Sequence, residues 1–248
     1  DPDGDLTIND VMSERYAFQF APAPMTELFF GYTRSVYWMR FTLENQRDEM
    51  MHFFLEAAPA DIDLLDLYAI DPDTGRLAQH TRLGSAMPYT DRRYDTPLQL
   101  FEILVEPNAA YTYYLRADSD KAINLELQLS TPDKYFQRAG QRDWWQGFLI
   151  GALVIACVLH MGLFALFHFR GFLWYSLFLA AVVFIQVSWN GYLLQFFEPD
   201  AQILDHQILT PIYLSVMFCS LFAQSLLKTR KRVPWQNHLF TIIAIMAL

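Results

Sequence analysis

The sequence predicts a multi-domain membrane protein in which an all-β antiparallel sandwich, a jelly roll, precedes an α-helical transmembrane bundle. Charge is divided unevenly: residues 1–143 carry 13 Lys and Arg against 24 Asp and Glu, whereas residues 144–248 carry only 5 and 3. The first part also alternates apolar and polar residues, and the second contains long uncharged runs. We place the sandwich in 1–137, a juxtamembrane connector in 138–145 and the transmembrane region in 146–248.

Short predicted strands separated by turn-forming residues fill the first domain. The loop from Asp71 to Gly75 is typical of a hairpin turn and lacks the further oxygen ligands of a calcium site. We find no helical pattern in this domain, so about eight short strands predict a sandwich. The alternation indicates strands at 36–43, 51–56, 64–70, 99–105, 111–115 and 123–129.

Apolar runs in the second half are long enough to cross a membrane. Trp144 to Phe169 contains no charged residue and as a helix would be about 39 Å long, against about 30 Å for a hydrocarbon core. Only Arg170-Gly171 separates it from the next run, which predicts a helical hairpin. The predicted spans are about 146–169, 172–197 and 203–227, with a fourth from about 234. The chain opens without a signal peptide and ends inside an apolar run, so we expect a piece of a longer protein.

Basic residues near the ends of the runs predict the orientation. One side carries Arg170 and the cluster Lys228-Thr229-Arg230-Lys231-Arg232, and the other carries Lys134, Arg138 and Arg142. The positive-inside rule places the first side in the cytoplasm. We therefore expect a multi-pass protein of a bacterial inner membrane whose acidic N-terminal domain lies in the periplasm.

No catalytic or cofactor-binding motif is present in the sequence. It has no phosphate-binding glycine loop, dinucleotide fingerprint, nucleophile elbow or paired-histidine zinc motif. Asp61, Asp63 and Asp66 are interpreted as a solvated strand edge. We predict no enzyme activity in these residues, no cofactor and no metal. The acidic first domain argues against nucleic acid as a partner, because phosphates need a basic surface.

One group of aromatic and arginine side chains has the composition of a ligand-binding surface. Such groups suit sugars, carboxylates and other polar ligands. The alternative is that the aromatics pair across strands and the arginines bridge the many carboxylates. The candidate ligand-binding residues are Trp38, Arg40, Tyr89, Arg92, Arg93, Tyr114 and Arg116.

Three polar residues within the predicted spans form a second candidate set. His160, Gln186 and Asn190 lie in otherwise apolar runs, where polar groups are costly. They suit a relay or a ligand site, but hydrogen bonding between helices of a bundle is the interpretation we favour.

The order of several motifs resembles that of a bacterial receptor family. The motifs are Val36 to Phe41, Leu67-Tyr68, Gly84, Pro88-Tyr89, Arg92-Arg93, Tyr113 to Arg116, Gln146 to Gly151 and Arg170 to Tyr175. Together they resemble the seven-transmembrane receptors with diverse intracellular signalling modules (7TMR-DISM), in the form with a jelly-roll sensor domain. The resemblance implies a fold similar to carbohydrate-binding modules and carries over Trp38, Arg40, Arg92, Tyr114 and Arg116 as candidate ligand positions.

The resemblance also implies seven helices and a cytoplasmic output, such as a histidine kinase of a two-component system or a diguanylate cyclase that makes cyclic-di-GMP. This chain departs from that pattern because it stops in the fourth helix and contains no output module. The expected function is a transmembrane signal receptor. The expected partners are a small-molecule or glycan ligand, or a periplasmic protein, together with the lipid bilayer; a homodimer is left open. The alternatives are a membrane-anchored adhesion or assembly module and an accessory domain of a transporter.

Overall fold

The structure, a computed structural model, forms two compact units. One contains residues 1–138 and 190–198, and the other contains residues 139–189 and 199–248. The first is built on β-strands and the second on helices. The residues that the structure describes are 1–22, 27–71, 74–197, 201–227 and 241–242.

Eight strands within the described residues form two four-stranded antiparallel sheets. The first sheet has the order β1-β8-β3-β6 and the second has the order β2-β7-β4-β5. In each sheet, strands from the beginning of the chain are paired with strands from its end, as in a jelly roll. The predicted fold class is confirmed. The strands are β1 (Glu27–Tyr32), β2 (Tyr37–Glu44), β3 (Met51–Ala58), β4 (Leu64–Ile70), β5 (Leu77–Leu83), β6 (Gln99–Val105), β7 (Ala110–Asp118) and β8 (Ala122–Ser130).

Every second side chain of the central strands fills the space between the sheets. Leu65, Phe101, Leu115 and Leu125 are completely buried there. Burying a side chain of this size contributes about 1.5–3 kcal/mol, so this layer is the main source of stability for the sandwich. Because side chains alternate along a strand, the residues between these point to the outer faces of the sheets. The outer face of the second sheet carries four of the seven candidate ligand residues.

Two short helices precede the first strand, so the prediction of a domain without helices was wrong. They are α1 (Ile8–Met12) and α2 (Glu14–Ala17), and a further single turn of 3₁₀-helix covers Tyr89–Asp91. Thr7 caps α1: its hydroxyl oxygen accepts from the Asp10 N–H at 3.4 Å, and the Asp10 carboxylate accepts from the Thr7 N–H at 2.9 Å. This capping box was visible in the sequence, but five residues are too few to show helical periodicity.

In the part of the chain described up to residue 227, four helices follow the sandwich, and the apolar run predicted as one span from 172 to 197 is divided between two of them. Gly191, at a φ of +79°, turns the chain between these two helices. Among the described residues, three segments are long and apolar enough to cross a membrane: 132–167, 170–189 and 209–227. The helices are α3 (Pro132–Phe167), α4 (Arg170–Trp189), α5 (Tyr192–Phe197) and α6 (Ala201–Leu227). The basic cluster at 228–232 and, apart from 241–242, the predicted fourth span lie outside the described residues.

Helix α4 packs against both of its long neighbours in the second unit. The Ser176 hydroxyl donates to the carbonyl oxygen of Cys157 in α3 at 3.0 Å, and Ser176 is completely buried. On the other side, the ring of Tyr175 lies 5.0 Å from that of Phe222 in α6. Small and hydroxyl-bearing residues allow close contact between helices, as is typical of membrane bundles.

Candidate functional site

The outer face of the second sheet brings four of the seven candidate ligand residues together. Trp38 is paired with Arg116 across β2 and β7, and Arg40 is paired with Tyr114 two residues further along β2, on the same face. The register continues these two rows through β4 to β5. The first row is Trp38, Arg116, Asp66 and Arg82, and the second row is Arg40, Tyr114, Tyr68 and His80.

Asp66 is the centre of an ion cluster on this face. Its side chain is completely buried although it points away from the core. Arg82 Nε donates to Asp66 Oδ1 at 2.7 Å, His80 Nε2 lies 2.7 Å from the same oxygen, and Arg116 Nη1 lies 3.6 Å from Oδ2. The interpretation of Asp66 as part of a solvated strand edge was therefore wrong, because the side chains of Arg82, His80 and Arg116 cover it.

The pKa of the Asp66 carboxyl reflects two opposed effects. Burial alone would raise this pKa, since it disfavours the charged form. The hydrogen bonds and positive charges of Arg82 and His80 outweigh burial and hold the pKa below its usual range. Asp66 thus stays ionised and holds the guanidinium and imidazole groups in place.

The nearby Asp63 has its own set of partners and also departs from the solvated-edge interpretation. Lys121 Nζ lies 2.8 Å from its carboxylate, and the Ser119 hydroxyl donates to it at 2.8 Å. Burial would raise the pKa of Asp63, but these bonds lower it overall. The carboxylate fastens the loop between β7 and β8 to the start of β4. Its role in the structure is to connect elements rather than to meet solvent.

Residues that precede β1 cover the aromatic part of the outer face. Val11, Ile70 and Tyr114 form a small buried cluster, against which Phe20 and Trp38 pack. The Arg40 guanidinium lies 4.6 Å from the centre of the Phe20 ring, within the range of a cation–π contact. The face is therefore occupied at its aromatic end and open at its charged end, where the Arg82 side chain is 47% exposed.

The other three candidate residues lie in the loop between β5 and β6, away from this face. Arg92 Nη1 donates to the carbonyl oxygens of Thr96 at 3.2 Å and Pro97 at 3.3 Å. Arg93 forms an ion pair with Glu102 of β6, in the first sheet. The Tyr89 hydroxyl donates to Asp95 at 2.7 Å; burial, and then this bond, raise the tyrosine's pKa. These side chains hold the loop in shape.

Sequence reasoning missed four residues of the outer face: Asp66, Tyr68, His80 and Arg82. The Tyr68 and His80 rings are stacked with their centres 4.4 Å apart. Their positions in β4 and β5 become informative only when the strand register is known. Among the described residues, no group of three or more His, Cys, Asp or Glu side chains could hold a metal ion.

Two family models match the chain in succession. The model described as 7TMR-DISM extracellular 2 matches residues 1–131, and the model described as 7TM diverse intracellular signalling matches residues 142–248. The chain belongs to the 7TMR-DISM receptors. The predicted family is confirmed, and the jelly roll is the extracellular sensor domain of a membrane signalling receptor. A comparison with curated proteins finds no match to this chain.

The 7TMR-DISM sensor domain holds helix α5 by close contacts. Gln195 Nε2 donates to Asp95 Oδ1 at 2.9 Å, and Leu193 is buried. A Cβ on Gly191 would lie 2.8 Å from that of Ala60 and would also collide with the Pro97 carbonyl oxygen. The segment between α4 and α6 is therefore docked on the loop that contains Tyr89 and Arg92.

The first turn of α3 is also part of the sensor domain. Tyr135 is 1% exposed, and its ring lies 5.3 Å from that of Phe54 on β3. The ring of Tyr94, from the loop between β5 and β6, lies 5.0 Å from Phe54 as well. Because α3 continues to Phe167, the helix that forms the first span of the 7TMR-DISM receptor starts inside the core of an aromatic cluster.

The intramembrane candidates of the receptor have local partners. His160 Nδ1 lies 2.7 Å from the Ala156 carbonyl oxygen one turn earlier, and its ring meets Tyr175 edge-on at 4.5 Å. Gln186 is partly buried in α4. Asn190 lies in the turn after α4 and belongs to the unit that contains the sandwich. The three residues are distributed over different elements of the chain. Their contacts favour a role in helix packing over a relay or a ligand site.

Proposed function

We propose that the jelly roll binds a small polar ligand, such as a sugar or a carboxylate, on the outer face of the second sheet. Binding changes the occupancy of a face that residues 1–22 now partly cover. The receptor then passes this change through the helices to a cytoplasmic output, a histidine kinase or a diguanylate cyclase, in a bacterial inner membrane. The ligand acts by binding more tightly to the receptor in one of two arrangements of its helix bundle than in the other.

The observation that supports this site most is the combination of aromatic rings with guanidinium groups that are already oriented. Trp38 stacks on Tyr68 at 5.8 Å, and Asp66 fixes Arg82 beside them. The Trp38 Nε1 is buried and has no hydrogen-bond partner, so a ligand oxygen would satisfy it. Planar stacking surfaces next to charged donors are typical of sites for sugars and carboxylates.

A ligand screen on the complete chain in lipid nanodiscs tests the site. We expect a monosaccharide, an oligosaccharide or a dicarboxylate to raise the thermal unfolding midpoint of the sensor domain. Trp38→Ala and Arg40→Gln should abolish that shift, because both side chains lie on the outer face. Arg93→Gln is the matched control, since Arg93 lies in the loop between β5 and β6 and pairs with Glu102 of the other sheet. A shift that persists in Trp38→Ala would overturn the assignment.

Two connections support the relay from the sandwich to the helices. One is α3, which starts in the Phe54–Tyr135 contact, and the other is α5, which docks through Gly191 and Gln195. A flexible Gly/Ser insertion after Gly140 in the full receptor should uncouple ligand from output, because it interrupts α3. Unchanged ligand-dependent output would contradict the relay through this helix.

A protein partner is the second candidate for the sensor domain. The edge strand β1 exposes Phe29 (75%) and Tyr32 (87%), and a bulge interrupts its pairing at Gly31. Exposed aromatic residues on a sheet edge favour recognition of another protein, as an adhesion or assembly module would require. Pull-down from a periplasmic extract with wild-type and Phe29→Ser/Tyr32→Ser receptors distinguishes this function, since only the wild type should retain the partner.

A further inference from the structure

A groove at the start of α3 has features of an anion site. Its volume is about 550 Å³, and it is lined by the end of β8, the first two turns of α3 and Phe53 of β3. It lies within the unit that contains the sandwich and on the first sheet. The groove is therefore separate from the outer face of the second sheet, and its occupant is independent of the ligand of that face.

The charge of the groove is positive. Lys134 and Arg138 are four residues apart in α3, so they share one face of the helix. None of the lining residues is Asp or Glu. Two neighbouring cations repel each other, and an anion placed between them would remove this repulsion.

The groove also contains buried donors without acceptors. Ser130 is 8% exposed, and its hydroxyl has no hydrogen-bond partner. Arg138 Nη2 is buried without a partner, while Nε of the same side chain donates to the Lys134 carbonyl oxygen at 3.4 Å. Buried polar groups are nearly always hydrogen-bonded, so these donors indicate a missing acceptor. The oxygens of a phosphate group can accept from several donors at once.

We propose that this groove binds a phosphate-bearing anion, and that the headgroup of an anionic phospholipid supplies it. Arg138 precedes Trp144-Trp145 by six residues, about 9 Å along the helix. These tryptophans open the uncharged run, and tryptophan is enriched at the level of lipid headgroups. Phe53 and the exposed Leu129 add an apolar wall beside the cations, which suits an amphiphile.

Titration of the complete chain in nanodiscs of neutral phosphatidylcholine tests this inference. Soluble dihexanoyl-phosphatidylglycerol should bind, as measured by calorimetry, and dihexanoyl-phosphatidylcholine should not. Lys134→Gln/Arg138→Gln should weaken binding about tenfold or more, and Ser130→Ala by a smaller factor. Arg34→Gln/Arg76→Gln removes the same charge at exposed positions outside the groove and should bind normally. Lys134→Glu, a change at an exposed position, tests the charge if the double variant does not fold.

Inorganic phosphate, titrated in the same way, distinguishes the two sources of the anion. If it binds as tightly as dihexanoyl-phosphatidylglycerol and with the same dependence on Lys134, the site is supported and free phosphate is the source. If neither probe binds, or if both bind equally well to Lys134→Glu, the proposal is overturned. Thermal unfolding of each variant without ligand confirms that the sensor domain is folded.

Discussion

At the scale of single residues, Asp66 determines the shape of the charged end of the outer face. Its carboxylate is shared by Arg82, His80 and Arg116, so replacing it by an amide removes the negative charge that holds these three groups together. We expect Asp66→Asn to destabilise the sensor domain by less than the roughly 3–5 kcal/mol of a fully buried broken ion pair, because the Arg82 and His80 side chains are partly exposed. Amide hydrogen exchange of β4 and β7 in the complete chain measures this. Asp3→Asn, at an exposed position, is the control; an equal effect of both would contradict the prediction.

The same carboxylate predicts a pH dependence of stability. The pKa values of Asp66 and Asp63 are both lower in the folded chain than the value of about 3.9 for an unfolded aspartate. Their contribution to the free energy of unfolding is therefore complete above the unfolded pKa. It is lost as the pH falls through the lower pKa of the folded chain. The thermal unfolding midpoint should fall below about pH 4, and less steeply in Asp66→Asn. An identical acid profile for this variant would show that Asp66 does not contribute.

At the scale of elements, the docking of α5 depends on a glycine that has no space for a side chain. Gly191→Ala would place a methyl group against Pro97 and Ala60 in a backbone conformation that alanine rarely adopts. We expect the amides of 190–197 to exchange hydrogen at least about tenfold faster, because α5 leaves the sensor domain. Gly140→Ala is the matched control: nothing lies within 4 Å of its added Cβ, and alanine favours a helix. Equal exchange in both variants would contradict the docking.

The burial of Tyr135 at the start of α3 leads to a second prediction for an element. Tyr135 is buried against Phe54, whereas the neighbouring Phe136 is 56% exposed. Tyr135→Ala should cost about 3–5 kcal/mol of unfolding free energy, as expected for a large buried aromatic side chain, and Phe136→Ala much less. Urea unfolding of the complete chain, followed by exchange of β3 amides, compares the two. Similar losses would show that this aromatic cluster does not anchor the helix.

At the scale of the whole molecule, the sensor domain has two described attachments to the membrane helices. If both carry the signal, Tyr135→Ala and Gly191→Ala should each reduce ligand-dependent output of the full receptor, and the double variant should abolish it. A double-mutant cycle tests whether α3 and α5 transmit the signal independently, since the free-energy effects of the two substitutions on output are then additive. Normal output in the double variant, with the sensor domain still folded, would exclude both attachments as routes of signalling.

The architecture could be predicted from the sequence because exposure to water and exposure to lipid each produce a strong pattern of apolar and polar residues. Alternation predicted six strands that the structure contains, and the uncharged run after Asp143 predicted the first span. Strands β1 and β5 were missed: both are edge strands, and the residues of β5 hardly alternate in burial. Helix α1 was missed because packing on Tyr114 and Ile70 stabilises it, rather than a periodic face of its own.

The site was less predictable because it depends on register. Alternation placed Trp38 and Arg40 on one side of β2, but it could not reveal that Asp66 and His80 share that face across two further strands. It also could not separate Arg93, whose partner Glu102 belongs to the other sheet. The division of the second apolar run at Gly191 was open to prediction, since Asn190-Gly191 is a strong turn signal.

The covering of the outer face by residues 1–22 has a practical consequence for protein engineering. At the aromatic end, the segment before β1 covers part of the strand surface, where Phe20 packs beside Tyr114 and Arg40 and Val11 is buried. Grafting a different segment onto the same eight strands would therefore alter the chemistry of that surface while every backbone pairing of the two sheets stayed in place. If the proposed ligand binds on this face, a library confined to residues 1–22 should change the ligand preference of the receptor.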